Sequence, residues 1–180
     1  MERMKNTLNP LFSDITWGAG GSTSSLSMEI AKYLHDTHHV ANLHITCTNI
    51  AGSIDPVNDI RVALQEAKEY GITNIVALRG DPVAGQTEWK AVEGGFSCAL
   101  DLVQFMKREF NHFFGIAVAG YPEGHPNAIS LIEDPTLTLT ERELARSSTG
   151  DDGTVYTCLE KDYEKELLYL KDKVDAGAGT

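Results

Sequence analysis

Apolar residues along the chain follow two alternating patterns, one with the period of a strand and one with the period of a helix. Four short runs are rich in β-branched and aromatic residues, which is typical of β-strands. These runs are Leu11–Trp17, Val40–Cys47, Thr73–Leu78 and Phe113–Ala119. Each run is predicted to form one strand of a sheet.

Other segments carry apolar residues three and four positions apart, which predicts amphipathic helices. The predicted helices are Ser25–His38, Val57–Tyr70, Gly95–Phe110 and Lys161–Ala176. Asp55 and Pro56 form a start signal for the second helix, and Gly71 ends it. The residues expected to face the core are Val62, Leu64, Ala67, Leu100, Val103, Met106, Leu167, Leu170 and Val174.

The order of these elements predicts an α/β fold. Strands recur about every 30 to 40 residues, which is the size of a βαβ unit, and a helix lies between consecutive strands. We therefore expect a parallel sheet whose strands are adjacent in chain order and joined by right-handed crossovers. A closed barrel and an open doubly wound sheet both fit this spacing, so the spacing alone leaves both open.

Asn127–Cys158 departs from this pattern, because it is polar, rich in Ser, Thr and Asp, and only weakly periodic. Segments of this composition are usually surface loops. We therefore predict a long surface loop or insertion here, with a short helix at Thr140–Arg146.

Composition narrows the kinds of partner. The net charge of the 180-residue chain is −11, whereas nucleic acids and anionic membranes are bound by clustered Lys and Arg. No apolar stretch is long enough to span a bilayer, and the first ten residues lack the apolar part of a secretory signal. Three scattered cysteines, Cys47, Cys98 and Cys158, predict reduced thiols and a cytoplasmic location.

Polar and glycine residues collect where the predicted strands end. In parallel α/β folds ligands bind at the carboxyl ends of the strands, so these residues are predicted to form one site. In chain order the strand ends are Thr16–Thr23, His44 with Thr46–Thr48, Leu78–Pro82 and Ala119–Pro126.

These features also have purely structural explanations. The glycine-rich stretch 18–21 lacks the spacing of a dinucleotide fingerprint or a P-loop, so it can be a flexible turn. His44 lies in an apolar strand, where a histidine with satisfied hydrogen bonds is the usual outcome. Arg79 and Asp81 can form an ion pair. Three histidines at 35, 38 and 39 lie at a helix end, which favours a dipole role over zinc, and no metal site is predicted.

Six phrases of the chain, taken together and in order, resemble the methylenetetrahydrofolate reductase family. They are DITWGAGGSTS, NLHITCTN, NIVALRGDP, EGGFSCALDLV, VAGYPEGHP and LKDKVDAGA. The resemblance implies a parallel-strand TIM-type barrel, here incomplete with about four βα units, that binds FAD. It also implies an enzyme that uses NADH or NADPH to reduce methylenetetrahydrofolate, its folate substrate, to 5-methyltetrahydrofolate.

The resemblance further implies which residues contact FAD. They are Thr16, Trp17, His44, Arg79, Gly80, Asp81, Cys98, Ala99, Tyr121, His125, Pro126, Asn127, Ala128 and Lys173. Arg79 and Lys173 are cations that can offset the pyrophosphate of FAD. Asp81 is the residue that the resemblance implies to be catalytic, because its carboxylate is expected to stabilise the cationic form of the folate.

Departures from the family pattern lead to further expectations. The family's first barrel strand carries a glutamate general acid, and this chain is expected to begin after that strand. Residues 1–180 are therefore expected to be a partial catalytic barrel with a polar insertion at about 127–158 and no regulatory domain. Cys98 replaces a common aromatic residue, and Glu166 stands where an aspartate is usual. The alternative is an inactive truncated product, or a chain that associates through open sheet edges, and a homo-oligomer also stays open.

Overall fold

The computed structural model describes residues 2–17, 24–48, 53–82, 91, 93–134 and 137–179. The chain divides into two units. The parallel unit comprises Met1–Ala119 and Asp175–Thr180, and the antiparallel unit comprises Gly120–Val174. None of the helices in the described ranges is long and apolar enough to cross a membrane.

Four parallel strands form the sheet of the parallel unit, in the order β1-β2-β3-β4. They are β1 Ser13–Trp17, β2 Ala41–Thr46, β3 Asn74–Leu78 and β4 Gly115–Val118. The predicted parallel sheet with strands adjacent in chain order is confirmed. β1 begins later than predicted, because its pairing starts where the Ser13 N–H donates to the Val40 carbonyl, and Leu11 and Phe12 precede it as exposed residues.

The helices of this unit begin at clear local signals. They are α1 Glu2–Leu8, α2 Ser24–Asp36, α3 Pro56–Glu69 and α4 Ala99–Phe110. The Asp55 side chain accepts the N–H of Asn58 at 3.0 Å and caps α3. α4 begins later than predicted, because the Asp101 carboxylate accepts the N–H groups of Ser97 and Cys98 and fixes the start of the helix at Ala99.

The apolar core lies between α2, α3 and α4 and one face of the sheet. Strand residues that share this face in register are Ile15, Leu43, Ile75 and Ile116. Four predicted helix positions are buried in the core, namely Leu64, Ala67, Val103 and Met106. Leu100 is only half-buried. Val62 was predicted wrongly: it is 57% exposed, because Ile60 and Ala63 supply the buried face of α3 instead.

The opposite face of the sheet, called the polar face, carries Asp14, Thr16, Asn42, His44, Thr46 and Asn74. The apolar core is confined to the helix-covered face. Helices on a single face are the arrangement of a barrel wall, whereas a doubly wound sheet has helices on both faces. The four strands do not close into a barrel within the part of the chain described, as expected for an incomplete TIM-type barrel.

The antiparallel unit contains a three-stranded sheet in the order β5-β7-β6. Its elements are β5 Ile129–Leu131, α5 Glu141–Ala145, β6 Ser148–Thr149, β7 Val155–Cys158 and α6 Glu160–Asp175, whose last residue belongs to the parallel unit. The short helix was predicted correctly, but the rest of the segment is not simply a loop, because it contains three short strands. These strands are two to four residues long, too short for a two-residue alternation to be visible. Whether the segment is an insertion stays a prediction.

α6 has the predicted position, but its inward residues were partly mispredicted. Leu170 is half-buried, whereas Leu167 is 42% exposed and Val174 is 52% exposed. The most buried residue of the helix is Lys173, at 4% exposure. Helical spacing locates a helix correctly, but it does not decide which polar residue is buried with the apolar ones.

Candidate cofactor site at the carboxyl end of the parallel sheet

The ends of β1 and β2 lie side by side on the polar face. Thr16 is paired in register with His44, and its side chain is exposed. The Thr16 carbonyl accepts a 2.8 Å hydrogen bond from Ser27 Oγ, which fastens α2 to the end of β1. Trp17 is part of the apolar core, so its indole lies on the other face from Thr16.

His44 has a hydrogen-bonding partner on the neighbouring strand. Its Nε2 lies 2.8 Å from Oδ1 of Asp14, and the same oxygen accepts a 2.7 Å hydrogen bond from Nδ2 of Asn42. The hydrogen bond from His44 lowers the pKa of Asp14 below its ordinary value, and that from Asn42 adds to the effect. The side chain of His44 is 28% exposed, so it is a partly open group of the polar face rather than a core histidine.

Thr46 ends the second predicted strand, but it was not among the predicted FAD contacts. It follows His44 by two residues on the same face and is 7% exposed. Its Oγ1 is buried and has no hydrogen-bond partner among the residues that the structure describes. A buried hydroxyl without a partner costs about 1–3 kcal/mol, so this atom needs an explanation. The spacing from His44 could have indicated the face, but no sequence signal shows that the hydroxyl lacks a partner.

The segment after β3 is tied to the segment after β2. Thr48 Oγ1 donates a 2.6 Å hydrogen bond to the Arg79 carbonyl. Gly80 follows with a φ of 102°, a conformation that residues with a side chain rarely adopt. Arg79 is half-buried, and Asp81 is exposed. These features hold Arg79, Gly80 and Asp81 at the edge of the sheet where β2 ends.

The start of α4 lies against the end of β2. Cys47 Sγ lies 3.5 Å from the Cys98 carbonyl, to which it donates a hydrogen bond. Burial raises the pKa of the Cys47 thiol to about 12, so the thiol remains protonated at neutral pH. Cys98 caps α4 and Ala99 is its first residue, and both are half-buried. The structure therefore brings Cys98 and Ala99 to the edge of the sheet that Arg79 occupies.

We call this region the carboxyl edge. It consists of the end of β1, the end of β2, the segment after β3 and the start of α4. The predicted site residues that the structure brings together there are Thr16, His44, Arg79, Gly80, Asp81, Cys98 and Ala99. In the described ranges, no group of three or more His, Cys, Asp or Glu residues could hold a metal ion.

Apart from Trp17, the other predicted contacts belong to the antiparallel unit. The rings of Tyr121 and His125 meet at 67°, with their centroids 4.7 Å apart. His125 Nδ1 accepts the Asn127 N–H at 3.1 Å, so a neutral His125 carries its proton on Nε2. Lys173 is buried, with Nζ 4.6 Å from the centre of the Tyr169 ring. The remaining predicted contacts, Pro126, Asn127 and Ala128, form a turn of 3₁₀-helix.

A parallel α/β sheet with helices on one face and polar groups at its carboxyl edge is the architecture of barrel enzymes. The family model described as methylenetetrahydrofolate reductase matches residues 1–180. The chain therefore belongs to the methylenetetrahydrofolate reductase family.

Curated relatives agree with this family. The chain is 44% identical over 180 residues to methylenetetrahydrofolate reductase (NADH) 1 of Zea mays. The alignment covers 98% of this chain and 26% of the maize protein. It is 45% identical over 136 residues to methylenetetrahydrofolate reductase 2 of Schizosaccharomyces pombe, covering 74% of this chain and 20% of that protein. It is 32% identical over 177 residues to 5,10-methylenetetrahydrofolate reductase of Escherichia coli, covering 96% of this chain and 44% of that protein. The chain thus spans about a quarter of the length of the plant relative.

Proposed function

We propose that this chain is the FAD-binding part of a methylenetetrahydrofolate reductase, with the cofactor bound at the carboxyl edge. When bound, FAD supplies the hydride relay between NADH or NADPH and 5,10-methylenetetrahydrofolate, which yields 5-methyltetrahydrofolate. Family membership supports the reaction, and relatives are named for both reductants. We further propose a cytoplasmic location, which the three free cysteines support.

The single observation that carries the proposal is the set of hydrogen-bonding groups at the carboxyl edge. Thr46 Oγ1 is buried without a partner in the described part of the chain, and the partly open His44 lies on the same face. Gly80 has no side chain, so a ligand can approach the backbone after β3 closely. A flavin ring carries several donors and acceptors, so the residues present fit this cofactor.

Arg79 is the residue of the carboxyl edge that suits a pyrophosphate. Its guanidinium offers a charged fork of donors, and charge-assisted hydrogen bonds to phosphate are about twice as strong as neutral ones. The chain has a net charge of −11, so its surface as a whole does not attract a pyrophosphate. A cation within the site therefore has to supply that attraction. A contact of Lys173 with FAD, which the family resemblance implies, stays a prediction.

Asp81 suits a role toward the folate. Its carboxylate is exposed directly after Gly80, and it would stabilise positive charge that develops on the substrate. A contact of His125 with FAD stays a prediction, and a neutral His125 has Nε2 as its donor, because Nδ1 already accepts the Asn127 N–H. Trp17 would contribute through its backbone, because its indole is in the apolar core.

The test is a titration of the purified chain with FAD, followed by the quenching of flavin fluorescence. The proposal predicts saturable binding by the wild type and binding about tenfold or more weaker in Arg79→Ala, because a hydrogen bond to a charged group contributes about 1.5–3 kcal/mol. Arg108→Ala is the control, since Arg108 is an exposed arginine on α4. Absence of saturable binding by the wild type would refute the proposal.

A reductant assay then addresses the donor. Under anaerobic conditions, the FAD-loaded chain is mixed with NADH or with NADPH, and the loss of flavin absorbance at each concentration is followed. The proposal predicts bleaching by at least one of the two nicotinamides. Bound FAD that neither nicotinamide bleaches would contradict the proposed reaction while leaving FAD binding intact.

A further inference from the structure

Asp14 lies next to the candidate site, although the sequence did not single it out. On the polar face Asp14 is paired in register with Asn42, and Thr16 is paired with His44. Asp14 therefore lies two residues nearer the amino end of the sheet than the residue that pairs with His44. Its Oδ1 accepts from both His44 Nε2 and Asn42 Nδ2. The two donors fix this oxygen between the strands.

The protonation of this pair follows from the chemistry of the carboxylate. Because the pKa of Asp14 is lowered by the His44 hydrogen bond, Asp14 is ionised at neutral pH and can only accept. The proton between the two residues therefore belongs to His44 Nε2. A neutral imidazole protonated at Nε2 has a bare Nδ1, which is a hydrogen-bond acceptor. Within the described ranges the structure gives Nδ1 no hydrogen bond.

We propose that Asp14 is a positioning residue, which fixes the tautomer and ring orientation of His44 so that Nδ1 accepts a hydrogen bond from an N–H or O–H group of bound FAD. The inference rests on the proposed function. Without Asp14, the neutral ring populates both tautomers and turns about its side-chain bonds, and binding has to select one state from several. Asp14 acts through His44 and does not itself touch the cofactor.

Two measurements on the whole chain test this role. The first is the ¹⁵N NMR spectrum of the labelled histidines at about pH 8, where a histidine with an ordinary pKa is neutral. The second is the FAD dissociation constant from flavin fluorescence. The variants are Asp14→Val, which removes both acceptor oxygens and suits a strand, and Asp14→Asn, which keeps one acceptor. The control is Asn42→Ser, which removes the other donor to the same Asp14 oxygen.

In the wild type we expect His44 to be protonated at Nε2 and bare at Nδ1. Asp14→Val mixes the two tautomers and weakens FAD binding about threefold to tenfold, the equivalent of one neutral hydrogen bond. Asp14→Asn lies between wild type and Asp14→Val in both measurements, and Asn42→Ser keeps the wild-type tautomer and affinity. A role limited to folding would lower the unfolding temperature of the Asp14 variants without changing the tautomer.

The possible failures are distinguishable. One outcome is that the wild type binds FAD and that both Asp14→Asn and Asp14→Val bind it as tightly as the wild type. The positioning role is then wrong, and the proposed function stands. If the wild type binds no FAD, the proposed function fails and this inference fails with it. If His44 is protonated at Nδ1 in the wild type, the inference is overturned whatever the affinity. Asp14→Asn is nearly isosteric, so it keeps the test valid if Asp14→Val does not fold.

Discussion

The parallel and antiparallel units bury different kinds of side chain. In the parallel unit the core is one cluster of apolar residues from the sheet and from α2, α3 and α4. In the antiparallel unit the described buried side chains are mostly polar or charged, and they are Glu143, Arg146, Thr157, Cys158 and Lys173. An apolar core imposes a periodic pattern on the sequence, whereas a hydrogen-bonded interior leaves no such period. Hydrophobic spacing therefore locates the strands of the first unit and misses those of the second.

A hydrogen-bonded network connects the elements of the antiparallel unit. Glu143 on α5 accepts the N–H groups of Thr140 and Glu160, both at 2.9 Å. Arg146 donates to the Cys158 carbonyl at 2.7 Å and to Glu160 Oε2 at 2.6 Å. The guanidinium also lies 4.3 Å from the centre of the Tyr163 ring on α6. These interactions join α5, β7 and α6.

The largest expected effect is in the apolar core. Leu64→Ala should lower the free energy of unfolding by about 2–5 kcal/mol, because the side chain is fully buried and leaves a cavity. Val62→Ala, two residues earlier on α3, should change it by no more than about 0.5 kcal/mol, because Val62 is exposed. Denaturant unfolding followed by tryptophan fluorescence suits this unit, since Trp17 is part of its apolar core. Equal effects of the two variants would contradict the assigned core.

The next effect concerns the charged interior. Arg146→Met should destabilise the antiparallel unit by about 1–3 kcal/mol, because the Cys158 carbonyl and the Glu160 carboxylate lose a buried donor. Arg142→Met is the matched control: Arg142 pairs with the same Glu160 but is 66% exposed, and exposed pairs contribute about 0–1 kcal/mol. Hydrogen exchange of the peptides that contain α5 and β7 measures both. A larger loss in Arg142→Met would reverse the assignment of the two arginines.

Two buried threonines should respond differently to the same substitution. Thr157 Oγ1 donates to the Glu143 carbonyl at 3.0 Å, so Thr157→Val should cost about 1–3 kcal/mol. Thr46 Oγ1 has no described partner, so Thr46→Val should leave the stability of the cofactor-free chain unchanged or raise it. The same Thr46→Val change should weaken FAD binding. Thermal unfolding with and without FAD gives both numbers, and a loss of stability in cofactor-free Thr46→Val would show that the hydroxyl has a structural partner.

The smallest effect is a pH dependence. The Thr140 N–H, together with the Glu160 N–H, lowers the pKa of Glu143 below its ordinary value. A lowered pKa means that the ionised carboxylate stabilises the fold above the ordinary pKa, and that this stabilisation is lost as pH falls through the lowered pKa. Glu143→Gln should therefore show a shallower loss of unfolding temperature between about pH 7 and about pH 3 than the wild type. If unfolding temperature depends on pH in the same way in Glu143→Gln and in the wild type, the Glu143 carboxylate does not stabilise the network.

The candidate site could be predicted only in part. The rule that ligands bind at strand ends located His44 and Arg79, because the strands of the parallel unit were located correctly. Family resemblance, rather than any pattern in the residues, was needed for Cys98 and Lys173. Thr46 and Asp14 were not among the predicted contacts, since a sequence does not reveal which hydroxyl lacks a partner or which carboxylate meets a histidine across two strands.

The most direct test of FAD binding at the carboxyl edge is hydrogen–deuterium exchange of the chain with and without saturating FAD. We expect slower exchange on adding FAD in the peptides that contain Thr46–Thr48 and Arg79–Asp81, which form the carboxyl edge. The hairpin of β6 and β7, which carries no predicted contact, should exchange at the same rate in both samples. Saturating FAD that protects the β6–β7 hairpin and leaves Thr46–Thr48 and Arg79–Asp81 unchanged would contradict the account.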